Sequence, residues 1–386
     1  MWGVACFTPL EKQMTMEQTQ TYIPAITPVS NGSAITEWPR VGARRAALLV
    51  LVALLVGAFL LGIATGSVNI PLGDVIKVLT GAEPAKATWA TIIQDFRLPK
   101  ALAAVLSGAA LAVSGLQMQT LFRNPLAGPY VLGVSSGASL GVAVVILALG
   151  TTGSVMLAGV GLLGDFGMAV AACLGSALVM GIVLLAARRV ESSVTLLILG
   201  LMFGYAVSSV VSLLLHFSLA ERVQAYVNWT FGSFGGVTWN QMGIFAPVVL
   251  AGLALAYLLA KPLNALLLGD AYAASLGLNV RRARVWIVMS TALLAGVVTA
   301  FCGPIGFLGI AVPHLSRGLL NTSDHRVLIP AAGLMGAAIA LIVDLIAHVP
   351  GSQIVLPLNA VMALIGAPVV IWVILRQRSV RASFAS

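Results

Sequence analysis

The sequence predicts an all-α integral membrane protein with about ten transmembrane helices and both termini in the cytoplasm. Three observations carry this expectation. Hydrophobic residues make up 59% of the 386 residues and charged residues only 9%, where an ordinary soluble domain carries about 25% charged residues. The mean hydropathy is +1.03, and a water-soluble chain of this length could not cover so much apolar surface with a polar shell. The apolar residues also gather into stretches close to the ~20 residues needed to cross a bilayer. A soluble enzyme, a disordered regulator and a nucleic-acid-binding protein are excluded as readings of the whole chain. The net charge of +9 forms no dense basic stripe and belongs to loops, so no nucleic-acid partner is expected.

Taken in order, residues 1–43 are polar and rich in Thr, Pro and Gln, and read as a disordered cytoplasmic extension ahead of a permease domain, 44–386. They lack the apolar core and small-residue cleavage site of a signal peptide. The first span covers 46–65 and follows Arg44-Arg45. A polar stretch comes next, within which 70–79 reads as a short amphipathic surface helix. The second span, 99–121, stops at Asn124-Pro125, because Pro125 and Pro129 forbid a regular helix there. The third (133–150) is short; the fourth (165–187) ends at Arg188-Arg189, and the fifth covers 194–217. Residues 220–236 read as an interfacial helix and loop. The sixth span covers 241–260, the seventh 285–302, and a short eighth 305–316 is broken by Pro313. The ninth and tenth cover 328–347 and 358–375. Gly133, Gly137 and Gly141, like Gly62 and Gly66, recur every four residues, a spacing that lets helices approach closely in lipid.

An even number of spans puts both termini on one side. Five of the 21 basic residues (Lys77, Lys86, Arg97, Lys100 and Arg222) fall on the opposite side, and the others share the side of the termini. Loops rich in Lys and Arg stay in the cytoplasm.

The chemistry of catalysis is missing. None of the five lysines sits in the glycine-rich setting of a phosphate-binding loop. The four histidines lack metal-ligand spacing, and Cys6, Cys173 and Cys302 are too scattered for a metal cluster. Transport is the expected role. Among the carboxylates, Asp344 lies well inside a span, with Asp165 and Glu191 at span ends. So few intramembrane charges argue against a proton- or sodium-driven secondary carrier, which is the alternative from another class. The energy source then lies elsewhere, and residues 261–284 offer the connection. Two short helices joined around Gly269-Asp270, with Gly277 or Asn279 as a C-cap, would form a small-residue knob flanked by Arg281, Arg282 and Arg284.

Several segments resemble the FecCD-type permeases, the family that imports iron-siderophores, haem and vitamin B12. They are Arg97-Leu98-Pro99-Lys100, the run from Gly108 to Gly115, Asn124-Pro125-Leu126-Ala127, the run from Leu132 to Ala138, Gly303-Pro304-Ile305-Gly306-Phe307, Val312-Pro313-His314, Asp324-His325-Arg326 and Ile365-Gly366-Ala367-Pro368. The resemblance covers about 46–376. It implies the type II architecture of ATP-binding-cassette (ABC) importer permeases, in a bacterial cytoplasmic (inner) membrane. It implies pairing with a second permease subunit, as homodimer or close heterodimer. Two cytoplasmic ABC ATPase subunits would dock on Leu268, Gly269, Asp270, Ala271, Ala274, Ser275, Leu276 and Gly277. ATP would be used by those subunits, with no cofactor bound by this chain. A periplasmic or lipid-anchored binding protein would dock at Arg97, Lys100 and His348 and deliver the cargo: a ferric siderophore, or alternatively haem or vitamin B12. Where the family pattern resembles Asp-x-x-Ala-Arg this chain has His348, and where it has Gly this chain has Asn359. Gln117, Gln119 and Asn359 are the candidate pathway-lining residues.

Overall fold

The computed structural model describes residues 41–149, 167–190, 193–348 and 355–382. The expected extension up to residue 40, Asp165 and Glu191 lie outside them. Fifteen α-helices occur among the described residues. They are α1 (Val41–Ala64), α2 (Leu72–Leu79), α3 (Ala87–Thr91), α4 (Leu98–Leu121), α5 (Val134–Ala143), α6 (Gly167–Arg189), α7 (Ser193–His216), α8 (Ala220–Thr230), α9 (Trp239–Leu258), α10 (Ala260–Leu267), α11 (Asp270–Ser275), α12 (Val280–Cys302), α13 (Leu308–Leu320), α14 (His325–Ala347) and α15 (Leu358–Ala382). No strand is present among these residues beyond one isolated bridge between His348 and Val355. Seven helices are long and apolar enough to cross a membrane, and 134–147 and 358–371 are shorter apolar helices. With α13 these occupy the ten expected positions.

The second span differs from its predicted extent. It begins at Ala87, twelve residues early, because α3 runs into α4 through a π-helical turn, Ile92–Arg97. Pro99 supplies the cause. Its ring cannot sit against the carbonyl four residues back and it donates no hydrogen bond, so the preceding turn widens. The eighth span is not broken at Pro313. Helix α13 continues through it to Leu320. The carbonyl that Pro313 leaves without a helical donor, that of Gly309, faces Gly115 of α4 at very short range. Pro247, Pro330 and Pro368 likewise lie inside continuous helices.

Helix α4 is the centre of the bundle and is largely buried, while α1 and α7 present most of their surface outward. Helices α4 and α14 cross where Gly108 faces Gly336, and a Cβ on either would overlap the other's carbonyl. Gly137 and Gly141 of α5 approach Gly175 and Ala171 of α6 just as closely, whereas Gly62 faces open space. The four-residue glycine spacing therefore marks a helix contact in α5 but not in α1. The predicted surface helix at 70–79 is α2, and the interfacial helix at 220–236 is α8.

Charged groups divide between the two ends. Arg44 donates to the carbonyl of Asn321 at 3.4 Å, and Arg123 pairs with Asp270, all at the basic end. Arg97 and Lys100 lie at the other, as does Arg222, which donates to the carbonyl of Leu147 at 3.3 Å.

Candidate functional site

The knob between the sixth and seventh spans is built as two short helices. Helix α10 ends at Leu267, and Gly269 turns the chain with φ +115°. Helix α11 closes in a Schellman motif: Gly277, at φ +85°, donates to the carbonyl of Ala274 at 2.9 Å, and Leu278 donates to that of Ala273 at 3.1 Å. The residues predicted as alternatives divide the work. Gly277 ends α11, while Asn279 starts α12, its side chain accepting from the backbone N–H of Arg282 at 2.9 Å.

This closure leaves an apolar face outside the spans. Leu268, Tyr272 and Leu276 are 64%, 53% and 61% exposed. Ala271, Ala274, Ser275 and Gly277 are exposed beside them, and Ala273 turns into the bundle. Tyr272 is not among the predicted docking residues; its place opposite Ala273 on a one-turn helix is visible only once the helix bounds are known.

Polar ties hold the knob to the bundle. Asp270 pairs with Arg123 at 3.0 Å and with Arg284 at 3.4 Å. Asn264 of α10 donates to the Asp324 carboxylate at 2.7 Å and accepts from the His325 backbone N–H at 2.9 Å. The His325 ring then meets Thr120 of α4 at 2.8 Å. Burial pushes the Asp324 carboxyl up, but hydrogen bonds from Asn264 and the Arg326 N–H, with the charges of Arg326 and His325, outweigh it and hold the group below the usual carboxylate range. Asn264 carries no sequence signal, since its partners lie about sixty residues away.

At the opposite end Arg97, Lys100 and His348 line one cavity of about 330 Å³, together with Asp344. The predicted docking residues thus meet in space, but their donors are engaged internally. Arg97 donates to the carbonyls of Ile63 (2.6 Å), Ala64 (3.0 Å) and Val68, closing the open end of α1. Lys100 pairs with Asp344 at 2.9 Å, and its ammonium lies 3.1 and 3.2 Å from the His348 ring nitrogens. The His348 ring also reaches the Asp344 carbonyl at 2.9 Å.

The three candidate pathway residues are each held by hydrogen bonds to neighbouring elements. Gln117 is fully buried and cross-links α4 to α12, donating to Ser290 at 3.1 Å and accepting from Thr291 at 3.0 Å. Gln119 is 4% exposed, accepts from Arg317 at 2.6 Å and donates to the Ile310 carbonyl at 3.1 Å. Asn359 donates to the carbonyls of Thr230 (2.9 Å) and Pro304 (2.6 Å) and accepts from the Gly306 N–H at 3.0 Å. A lone polar residue in a span most readily finds a neighbouring helix, because an unsatisfied amide in an apolar medium is costly. His314, one of the four histidines without metal-ligand spacing, donates to the carbonyl of Pro125 at 2.7 Å.

An apolar knob and a polar cavity thus lie at opposite ends of a glycine-packed bundle. The FecCD transport family matches residues 53–376. The chain belongs to the FecCD transport family. Among FecCD relatives, the vitamin B12 import system permease protein of Klebsiella pneumoniae is 37% identical over 331 residues, covering 86% of this chain and 94% of its own. The corresponding permease of Shigella boydii is 35% identical over 336 residues, covering 86% and 95%. A solved inward-facing conformation of a metal-chelate type ABC transporter superposes with a TM-score of 0.74 at 27% identity, covering 86% of this chain and 99% of that one. This FecCD chain is therefore a multi-pass permease subunit of an ABC importer.

Proposed function

We propose that this permease carries a bulky metal chelate of the vitamin B12 class into a bacterial cytoplasm. It pairs with a second permease subunit and docks two cytoplasmic ATPase subunits through Leu268, Tyr272 and Leu276. The exposed apolar face of the knob, formed by Leu268 ahead of α11, Tyr272 within it and Leu276 at its C-cap, carries this reading. Apolar surface lying outside the spans, on a helix capped at its C-terminal end, calls for a protein partner. ATP is spent on the partner chains. The cargo class rests on the named activity of the relatives from Klebsiella pneumoniae and Shigella boydii. A ferric siderophore is the second reading, supported by the similarity to a metal-chelate type transporter. A binding protein approaches the end that holds Arg97, Lys100 and His348. Because Asp344 already neutralises Lys100, that protein's carboxylates compete with an internal one.

The test is uptake by proteoliposomes holding the chain with its genomic-neighbour ATPase and binding protein. Radiolabelled cyanocobalamin, ferric siderophore and haem are offered in turn. ATP-dependent uptake of cyanocobalamin that needs all three components is expected. Uptake of the siderophore alone moves the cargo to the second reading. Gradient-driven uptake by the isolated chain overturns the ATP coupling.

A further inference from the structure

The Asp270 carboxylate occupies a junction that a docking surface by itself does not require. One oxygen meets Arg123 Nη2 at 3.0 Å and the other meets Arg284 Nη2 at 3.4 Å. Arg123 ends α4, and Arg284 lies in the first turns of α12. The second arm of Arg284 continues the chain of contacts, donating to the carbonyl of Val190 at the end of α6 at 3.0 Å. One carboxylate thereby ties α11 to the ends of three spans.

The local backbone is arranged for this. Arg123 holds φ +46°, a conformation non-glycine residues rarely adopt. Its guanidinium lies over Gly269, 3.6 Å from where a Cβ would stand. Arg284 is 3% exposed, so its charge is shielded from water and depends on protein partners for neutralisation. Asp270 itself is about half exposed, whereas the apolar docking face is formed by Leu268, Tyr272 and Leu276. Holding the bundle and offering a surface to a partner are therefore carried by different side chains.

We infer that Asp270 is a positioning residue that makes α11 and the inner ends of α4, α6 and α12 move as one body when the ATPase subunits move. The inference rests on the docking reading above and deepens it. Without the carboxylate, α11 still presents its apolar face, but its displacement is no longer passed to the spans. The amide introduced by Asp270→Asn would retain shape and lose the charge that pairs with both arginines. The carboxylate of Asp270→Glu reaches the same two guanidinium groups.

The experiment uses the assembled transporter with Cys6, Cys173 and Cys302 replaced by Ala and spin labels at Ser275→Cys and Leu126→Cys. Their separation is read by electron paramagnetic resonance without nucleotide and with ATP–vanadate. No cargo is required. In the otherwise native chain one narrow separation is expected, unchanged between the two states. In Asp270→Asn the narrow separation is lost and differs between states, while the ATPase still co-purifies; Asp270→Glu restores the native behaviour. Arg123→Gln, which leaves Asp270 and Arg284 in place, is expected to broaden the distribution as well and serves if Asp270→Asn does not fold. A native, state-independent separation in Asp270→Asn, or in Arg123→Gln where that variant stands in for it, overturns the inference. So does loss of ATPase co-purification in Asp270→Asn, which would make Asp270 a direct contact. The docking reading is tested separately: if Leu268→Glu with Leu276→Glu leaves co-purification intact, that reading fails instead.

Discussion

Asn359 fastens three backbone groups from two separate turns, Thr230, Pro304 and Gly306. The turn it holds ends at Phe307, whose φ of +62° is a conformation a bulky residue resists. Asn359→Ala leaves those groups without partners and is expected to cost about 2 kcal/mol, read as a lower midpoint of thermal unfolding in detergent. Lys100 and Asp344 form a partly buried pair in the wall of the polar cavity. Asp344→Asn is expected to destabilise by about 3 kcal/mol by stranding the ammonium, and Lys100→Met with Asp344→Leu to recover most of that; denaturation of the single and double variants checks it. Asp324 titrates the other way from a buried acid. Its folded pKa lies below its unfolded value, so its contribution to stability is present above the unfolded pKa and disappears as pH falls through the folded one. The acid limb of a stability–pH profile should flatten in Asp324→Asn. At this scale the sequence is legible where partners are local. Gly277 announces a helix end, and Asn279, read from sequence as the alternative end, is instead the cap that starts α12. Arg97 does not announce that it closes α1, because its carbonyl partners are about thirty residues away and carry no side-chain signature.

Helix pairs, not single groups, explain where glycine is indispensable. Gly141 of α5 meets the Ala171 carbonyl, and Gly62 of α1 meets nothing within 4 Å, although both sit in the same four-residue spacing. Gly141→Leu is expected to prevent a monodisperse detergent-solubilised chain, and Gly62→Leu to be silent, as size-exclusion chromatography would show. Overpacking costs roughly 1–3 kcal/mol when the neighbour can yield, and a backbone carbonyl yields least. Sequence periodicity identifies faces that permit close approach but not which faces are used, since that depends on elements far along the chain. The same limit explains the two helices whose extent differs from the expected one. A proline reads as a break from sequence, yet Pro99 only widens a turn and Pro313 sits where α4 covers the freed carbonyl.

The whole molecule has a buried centre and an outward-facing perimeter. Helix α4 is enclosed by α12, α13 and α14, and it is the least apolar of the seven long spans. Composition places the chain in a membrane and counts its spans. The family-like motifs then point to its partners, and neither says that Gln117 and Gln119 are bolts between helices. The proposed docking of the ATPase on the knob has a direct consequence: Leu268→Glu with Leu276→Glu is expected to abolish recovery of the ATPase in a pull-down while leaving the permease folded.

The glycine crossing of α4 with α14 also bears on how the protein is made. Gly108 and Gly336 are separated by more than two hundred residues. At ribosomal speeds of about 5–20 residues per second, α4 waits on the order of tens of seconds before its principal neighbour emerges. During that interval Ser107, Gln117 and Gln119, all buried in the finished bundle, lack the partners they find in its C-terminal third, Cys302, Ser290, Thr291, Ile310 and Arg317. The nascent chain therefore needs shelter at the insertion machinery until synthesis is nearly complete, and a chain truncated ahead of α14 should be a substrate for membrane proteases.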